Sequence, residues 1–401
     1  MTNRSETLQS QRRELWLHSS AVHASLLRRP KQHPLRRALF QLHLWTGVIA
    51  GLYLFVIGLS GALLVFRPEI QAATYPEFFE IAGQGAPLAD PASVVTEIRS
   101  RYPDYRFSGF DFPTYRRDSF LAYVAKGEEL KTLFLDPYTG RLIGELPDDS
   151  WLRWLQELHF NLHLGRRGIV INGIGAAALV VMALSGLIIW WPGMGGWARG
   201  LVVGFGKGWR RIVWELHGAV GIWSLTLLAI WGASGFYFSF PLEVRSVVGR
   251  LSPPSVSSPP QSDAAAGETT PAPAPAALLA RARAELPQAR PARYAVANQP
   301  TAPIQIVLAR GVHGDYDTSD ETTLYFDRYT GALIGRRDNA RVSASDTLFA
   351  WLGPLHVGSF GGIAIKIAWC AFGLALPLLF VTGFVLWWPR ATRWYAAARS
   401  S

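Results

Sequence analysis

The sequence "LHLWTGVIAGLYLFVIGLSGALLVFRPE", residues 42–69, returns in altered form as "LHGAVGIWSLTLLAIWGASGFYFSFPLE", residues 216–243. Both copies are apolar over about 20 residues or more, the length that an α-helix needs to cross a bilayer. In each copy a histidine precedes a serine by 17 residues, at His43 and at His217. The pattern predicts two equivalent membrane spans in a chain built as an internal repeat.

A second pair of apolar segments repeats in the same way. The motif "WLQELH" ends at His159 and "WLGPLH" ends at His356, and each of these histidines lies 26 residues before Ser185 or Thr382. Both segments continue with a Gly and end in "WWP". The sequence therefore predicts four spans. They cover residues 38–66, 168–191, 212–240 and 361–388.

The two long segments between the spans share a third repeat. "TLFLDPYTGRLIG" (132–144) and "TLYFDRYTGALIG" (323–335) align without a gap. Alternating apolar residues around a D-x-Y-T-G turn indicate a β-hairpin. Each hairpin follows a segment with a helical pattern, at 90–103 and 276–287, so each long segment is predicted to be a small α+β domain. The Pro, Ala and Ser content of residues 252–276 predicts a disordered linker.

The predicted fold class is an integral membrane α-helical protein, with four transmembrane helices in two tandem repeats and two α+β domains outside the membrane. Its predicted segments are an N-terminal segment 1–35, transmembrane helix one 36–67, domain one 68–147, an amphipathic helix with transmembrane helix two 148–192, a loop 193–211, transmembrane helix three 212–241, domain two 242–345 including the linker, an outer-face helix with transmembrane helix four 346–389, and a tail 390–401.

Basic residues are concentrated before the first span, between the second and third spans, and after the fourth, in a chain of net charge +10. Because basic loops remain in the cytoplasm, both termini are predicted to be cytoplasmic and both α+β domains to be exported. The charge is then a consequence of topology. With no folded basic domain, nucleic acid is not an expected partner, and the lipid bilayer is.

Five of the nine histidines lie at the ends of spans. His43 and His217 lie near the cytoplasmic ends, whereas His159, His163 and His356 lie at the outer ends. A single such histidine is most simply an interfacial residue or a helix cap, but four in repeat-equivalent positions favour a functional role. The remaining histidines are expected to be solvated: His18, His23, His33 and His313.

Three types of site were compared for these histidines. Zinc would need three or four ligands at one depth, and a proton relay would favour carboxylates inside the spans. With Cys370 as the single cysteine, the chain has no Cys-x-x-Cys-His for covalent haem. Two imidazoles at each of two depths instead fit two noncovalent, bis-histidine b haems, with glycines on the spans allowing close approach.

The depths of the histidines assign the ligands to pairs. His43 pairs with His217, and His356 pairs with His159 or His163. The repeat makes His159 the counterpart of His356, although a helix over 148–165 would place His163 on the same face.

The motifs "LHFNLHLGRRG" (158–168), "LHVGSFGG" (355–362), "VTGFVLWWPR" (381–390) and the two D-x-Y-T-G hairpins resemble those of bacterial PepSY-associated transmembrane proteins. The resemblance extends over residues 36–394 and implies that the exported domains are periplasmic PepSY domains. It implies haem ligation at the Leu-His motifs of His43, His159, His217 and His356, whereas His163 falls where the pattern is usually apolar.

One branch of this family is similar to inner-membrane siderophore reductases, which carry two haems and reduce ferric siderophores in the periplasm. The resemblance therefore implies an iron-releasing oxidoreductase in the bacterial inner membrane. Since the chain has no flavin or nicotinamide motif, the electron donor is expected to be a separate cytoplasmic or membrane component. Aromatic residues near the outer haem, Trp151, Trp154 and Trp351, are candidates for the docking surface as well as for membrane anchors.

Two other functions remain open. The protein could be a PepSY-based peptide-binding or protease-regulating membrane protein without redox activity. It could also be an iron or siderophore permease, although transporters place carboxylates or broken helices at the membrane midplane and these spans show neither.

Overall fold

The computed structural model describes residues 34–399 except 82–85, 114–118, 128, 148–149, 193–195, 207, 256–258, 264–272, 312–319 and 340–341. The histidines predicted to be solvated, His18, His23, His33 and His313, lie outside the described residues, as does almost all of the basic N-terminal segment. The chain divides into two compact units. The helical unit is Met1–Leu63, Glu157–Pro241 and Ile367–Ser401, and the sheet unit is Leu64–Gln156 and Leu242–Lys366.

The helices are α1 Pro34–Leu64, α2 Arg67–Thr74, α3 Pro76–Phe79, α4 Pro91–Arg101, α5 Trp151–Asn161, α6 Arg166–Trp190, α7 Trp209–Ser239, α8 Pro241–Leu251, α9 Pro275–Glu285, α10 Ala344–Val357, α11 Gly362–Gly373 and α12 Ala375–Arg399. The strands are β1 Arg106–Asp111, β2 Phe120–Lys126, β3 Glu129–Leu135, β4 Leu142–Glu145, β5 Arg290–Val296, β6 Ile304–Ala309, β7 Glu321–Phe326 and β8 Leu333–Asp338. Short 3₁₀ helices lie at Trp197–Leu201 and Ser359–Gly361.

Within the described part of the chain, four segments are long and apolar enough to cross a membrane, as predicted. They are Leu35–Leu64, Arg166–Trp190, Trp209–Ser239 and Ser359–Pro389. Within the helical unit, α7 packs against both α6 and α12. A layer of buried leucines fills the middle of this unit, formed by Leu54, Leu179, Leu228 and Leu376. These apolar side chains form the core of the helical unit.

The eight strands form one antiparallel sheet in the order β4-β3-β2-β1-β5-β6-β7-β8. The two α+β segments predicted as separate domains thus share a sheet, joined where Phe110 of β1 pairs with Tyr294 of β5. Each half contributes a strand that would otherwise be an open edge, so pairing satisfies backbone donors and acceptors on both sides. Gly109 permits the close approach, because its φ is +141° and an added Cβ would lie 2.3 Å from the Tyr294 carbonyl oxygen.

Helices α4 and α9 cover one face of this sheet. Val94 and Ile98 of α4 and Leu278 of α9 are almost fully buried against strand residues such as Phe110 and Ile306. Because successive strand residues point to opposite faces, only alternate residues enter this core. The predicted helices before the hairpins are confirmed, and each supplies an apolar stripe to the shared sheet.

Both D-x-Y-T-G turns are confirmed. The Oδ1 atom of Asp136 accepts hydrogen bonds from the backbone N–H groups of Tyr138 at 2.9 Å and Thr139 at 2.8 Å. Asp327 accepts the equivalent bonds in the second turn. The glycine of each turn has φ near +70°, where a side chain would be strained.

Part of the predicted disordered linker is instead ordered. The hydroxyl of Ser262 accepts a hydrogen bond from Arg328 N at 2.9 Å, and Asp263 N donates to Asp327 Oδ2 at 2.8 Å. Ser255 N donates to Asp346 Oδ2 at 2.8 Å. These polar contacts tie the segment to the sheet unit. A composition poor in large apolar residues therefore gave a wrong prediction for these positions, because hydrogen bonds rather than apolar burial hold them.

Candidate functional site

The imidazole rings of His43 and His217 face each other in the helical unit. His43 lies on α1 and His217 on α7, and their ring centroids are 6.4 Å apart with planes at 89°. Both rings are half-buried. The structure thus brings together the two histidines that the sequence assigned to one pair.

The separation of these rings can be compared with that of two ligands on one metal ion. A metal–imidazole bond is about 2.0 Å and the ligating nitrogen lies about 1.1 Å from the ring centroid, so two imidazoles on opposite sides of one ion would have centroids about 6.2 Å apart. The observed 6.4 Å agrees with this value. The His43–His217 pair therefore fits axial ligation of one haem iron without a change in ring separation.

Each of three candidate ligands contacts a hydroxyl group through its Nδ1 atom. His43 Nδ1 lies 3.0 Å from Ser185 Oγ, and His217 Nδ1 lies 2.9 Å from Thr382 Oγ1. His159 Nδ1 lies 3.0 Å from Ser60 Oγ. In every case the Nδ1 atom is engaged by a neighbouring helix, which leaves Nε2 as the ring nitrogen available for a metal.

These hydroxyl residues were not among the site residues predicted from the sequence, although all three are among the residues whose distances from the histidines repeat. The signal that could have identified them is a Ser-Gly or Thr-Gly dipeptide in each span, at 60–61, 185–186, 234–235 and 382–383. Since the dipeptide recurs at fixed distances from the histidines, it indicates a shared role rather than general helix packing.

In three of these four dipeptides the glycine lies against a histidine ring, whereas Gly235 faces Ala176. An added Cβ would lie 3.2 Å from His43 Cε1 at Gly186, 3.3 Å from His217 Cε1 at Gly383, and 2.8 Å from His159 Cε1 at Gly61. The histidine rings therefore rest directly on helix backbone.

Two other glycines of the spans, which were expected to allow close approach, lie against apolar side chains of another helix. At Gly51 an added Cβ would lie 2.5 Å from the Phe380 ring, and at Gly58 it would lie 2.6 Å from Leu376. These two glycines therefore serve helix packing.

His159 lies in the last turn of α5 and is held by α6 as well as by α1. Asn172 Nδ2 on α6 donates to the carbonyl oxygens of His159 and Phe160, both at 2.8 Å. Tyr53 of α1 donates its hydroxyl hydrogen to Asn172 Oδ1 at 3.1 Å. Burial lowers the pKa of His159 to about 4 even though part of its ring surface is accessible, so the imidazole is neutral, as a metal ligand must be.

His163 is placed differently, and the prediction of one helix carrying both histidines is wrong. Helix α5 ends at Asn161, and Leu162 and His163 have positive φ values of 55° and 57°. His163 N is held by Asn161 Oδ1 at 3.0 Å, and the residue is exposed. The asparagine side chain replaces the next helical hydrogen bond, which stops the helix before His163.

His356 lies in the last turn of α10 and is half-buried. Gly358 caps this helix in a left-handed conformation, and its N–H bonds the Pro354 carbonyl oxygen. His356 belongs to the sheet unit, whereas His43, His159 and His217 belong to the helical unit. Its assignment as a ligand therefore rests on the sequence repeat.

Lys366 is a charged residue of the fourth span that sequence analysis missed. Its side chain is 3% exposed, and its Nζ lies 2.7 Å from Glu69 Oε1. A charge in this setting requires a partner, because an unpaired ammonium group would be costly in an apolar environment. The signal was a lysine inside "GGIAIKIAWC", residues 361–370.

The three tryptophans considered for a docking surface are among the exposed large side chains. Trp151 is 54% exposed, Trp154 57% and Trp351 40%. This exposure suits membrane anchoring as well as docking, so it does not choose between the two roles.

The chain is similar to a known protein family and to a bacterial protein. A family model described as the PepSY-associated TM region matches residues 40–390. A Pseudomonas aeruginosa protein, named only as the uncharacterized protein PA4219, is 24% identical over 258 residues. That match covers 59% of this chain and 63% of the relative, so the chain spans less than two thirds of the relative's length.

Proposed function

Since the chain belongs to the family of PepSY-associated transmembrane proteins, we propose that it is a membrane oxidoreductase that binds two noncovalent b haems and reduces ferric siderophores. The observation that carries the haem proposal is the facing pair of His43 and His217, with ring centroids 6.4 Å apart. Two neutral imidazoles at this separation match the axial ligands of one low-spin iron.

The second haem site is assigned by the repeat. His159 and His356 are equivalent in sequence, and His159 has the same hydroxyl contact and glycine support as the inner pair. His163 lacks this setting, because it is exposed in the turn after α5. We therefore assign the outer ligands as His159 and His356.

When bound, haem supplies reversible one-electron transfer. The chain would supply imidazole ligands, hydroxyl groups that hold their Nδ1 atoms, and the leucine layer of Leu54, Leu179, Leu228 and Leu376. This layer keeps water from the core of the helical unit and lowers the local dielectric.

The substrate and the direction follow from the charge distribution and from the family resemblance. Basic residues beside the spans favour an inner-membrane protein with cytoplasmic termini and with the sheet unit in the periplasm. A separate donor on the cytoplasmic or membrane side supplies the electron. One electron converts siderophore-bound Fe(III) to Fe(II), which siderophores hold far less tightly, so the metal is released.

Haem content tests the first part of this proposal. The full chain is purified from haem-replete cells, and its spectrum is recorded with and without dithionite. Two acid–acetone-extractable haems per chain are expected, with low-spin bis-histidine spectra. A colourless protein would contradict the cytochrome and would favour a peptide-binding or protease-regulating role.

Electron delivery tests the second part. The chain is reconstituted in vesicles of known orientation, reduced, and mixed with a ferric siderophore and a ferrous chelator. Ferrous chelate is expected only when the siderophore meets the face that carries the sheet unit. Reduced protein that ignores ferric siderophores on both faces would overturn the reductase but leave the cytochrome.

A further inference from the structure

We propose that the hydroxyl groups of Ser60, Ser185 and Thr382 are positioning groups, which fix the proton of each contacted histidine on Nδ1, set the ring plane and leave Nε2 as the ligating atom. This inference rests on the proposed function, which it deepens by giving a role to residues that do not touch the iron themselves. Its support is the direction of each hydrogen bond.

The surroundings of Ser185 favour one direction for its contact with His43. Ser185 Oγ donates its hydrogen to the Val181 carbonyl oxygen at 2.7 Å. A hydroxyl group has a single hydrogen, so it offers His43 only a lone pair at 3.0 Å. With the hydroxyl hydrogen on the Val181 carbonyl oxygen, His43 Nδ1 is the donor of this contact, and the arrangement assigns the proton to Nδ1.

The other contacts have the same direction. Thr382 Oγ1 donates to the Leu378 carbonyl oxygen at 2.7 Å, and Ser60 Oγ donates to the Val56 carbonyl oxygen at 2.8 Å. Ser234, the fourth hydroxyl residue of the repeat, donates to the carbonyl four residues earlier at 2.7 Å. In all four positions a backbone carbonyl oxygen accepts the hydroxyl hydrogen, so the hydroxyl oxygen has a lone pair with which to accept a hydrogen bond.

The consequence for each histidine is a defined tautomer. A neutral imidazole with its proton on Nδ1 has its lone pair on Nε2, the atom that can bind iron. A hydrogen bond from the other ring nitrogen makes the ligand more basic and fixes its orientation. The hydroxyl groups should therefore stabilise ferric iron and lower the potential of the haem that they serve.

The ring planes of the inner pair follow from the same contacts. His43 is held by Ser185 and rests on Gly186 of α6, whereas His217 is held by Thr382 and rests on Gly383 of α12. Since two different helices fix the two rings, their planes are independent, and they lie at 89°. Perpendicular axial imidazoles give ferric haem a more anisotropic electron paramagnetic resonance (EPR) signal than parallel imidazoles do.

The test uses hydroxyl deletions in the full-length haem-loaded protein. Ser185→Ala and Thr382→Val should each act on the haem that is lost in His43→Ala. Each should raise the midpoint potential of that haem and reduce the anisotropy of its EPR signal. Thr382→Ser keeps the acceptor and should keep both properties. Ser60→Ala should instead raise the midpoint potential of the other haem. The repeat extends this expectation to Ser234→Ala.

A matched control is Ser224→Ala on α7. Ser224 is equally buried and donates to the Val220 carbonyl oxygen at 2.7 Å, but the sequence repeat does not align it with the four hydroxyl positions. The Ser224→Ala variant should leave the midpoint potential and the EPR signal of both haems unchanged. A two-haem protein in which Ser185→Ala and Thr382→Val behave like this control would overturn the inference and leave the proposed function intact. A protein without haem would overturn both.

Discussion

His43 and His217 lie on different spans, yet their imidazole rings face each other with centroids 6.4 Å apart and planes at right angles. Neither ring needs to move along the line that joins them to share one iron. If the two rings hold one haem, as proposed, loss of either ring should have the same consequence.

The first prediction follows from this shared site. His43→Ala and His217→Ala should each remove the same haem, about half of the total, because one remaining imidazole does not hold low-spin haem as two do. His356→Ala should remove the other haem. Pyridine haemochrome quantification and reduced-minus-oxidised spectra measure this. The assignment is wrong if His43→Ala and His356→Ala deplete the same spectral component.

The second prediction separates His159 from His163. His159→Ala should lose the outer haem, since its ring is held by Ser60 and rests on Gly61. His163→Ala should keep both haems, because His163 is exposed beyond the end of α5. Haem stoichiometry of the two variants, compared side by side, decides the matter. Loss of haem in His163→Ala alone would reverse the assignment.

The third prediction concerns the buried ion pair of Lys366 and Glu69. Glu69→Gln should lower the free energy of unfolding by about 3 kcal/mol, because it leaves a buried ammonium group without its carboxylate partner. Lys366→Met should cost less, since the Glu69 side chain is 39% exposed and water can solvate it.

Thermal unfolding of both variants and of the double variant measures the coupling of this pair. The free energy of unfolding lost in the double variant should be smaller than the sum of the losses in the two single variants. Strictly additive losses would show that the pair contributes no coupling.

The fourth prediction concerns the junction of the two halves of the sheet. Gly109→Ala should destabilise the protein by more than about 2 kcal/mol, because left-handed backbone strain is combined with a clash against the Tyr294 carbonyl oxygen. Gly127→Ala is the matched control, with φ +60° and nothing within 4 Å of an added Cβ, and should cost about 1 kcal/mol. Thermal unfolding compares them; equal losses would mean that the close approach at Gly109 is not required.

The fifth prediction is a pH dependence at the second hairpin turn. Burial alone would raise the pKa of Asp327, but hydrogen bonds from the backbone of Thr330, Asp263 and Tyr329 outweigh it and lower the pKa. The resulting stabilisation is full above the unfolded pKa of about 3.9 and is lost as the pH falls through the lower folded pKa. Asp327→Asn should flatten the acid limb of a stability–pH curve. An unchanged acid limb would contradict this.

The sequence by itself determined the four spans, the two hairpin turns and the pairing of His43 with His217. These features depend on signals that lie close together along the chain: long apolar runs, an aspartate and a glycine at fixed turn positions, and distances that repeat. Such signals survive without knowledge of distant contacts, because bilayer thickness and turn geometry constrain them locally.

Tertiary structure alone decided how these elements meet. The pairing of Phe110 with Tyr294 joins two predicted domains into one sheet, and no local pattern specifies which edge strands pair. The exposure of His163 depends on where α5 stops, which the short-range hydrogen bond from His163 N to Asn161 Oδ1 fixes. The contact of His43 with Ser185 depends on how α1 packs against α6. This contact and the junction of the sheet are set by residues far apart in sequence, which composition and periodicity do not encode.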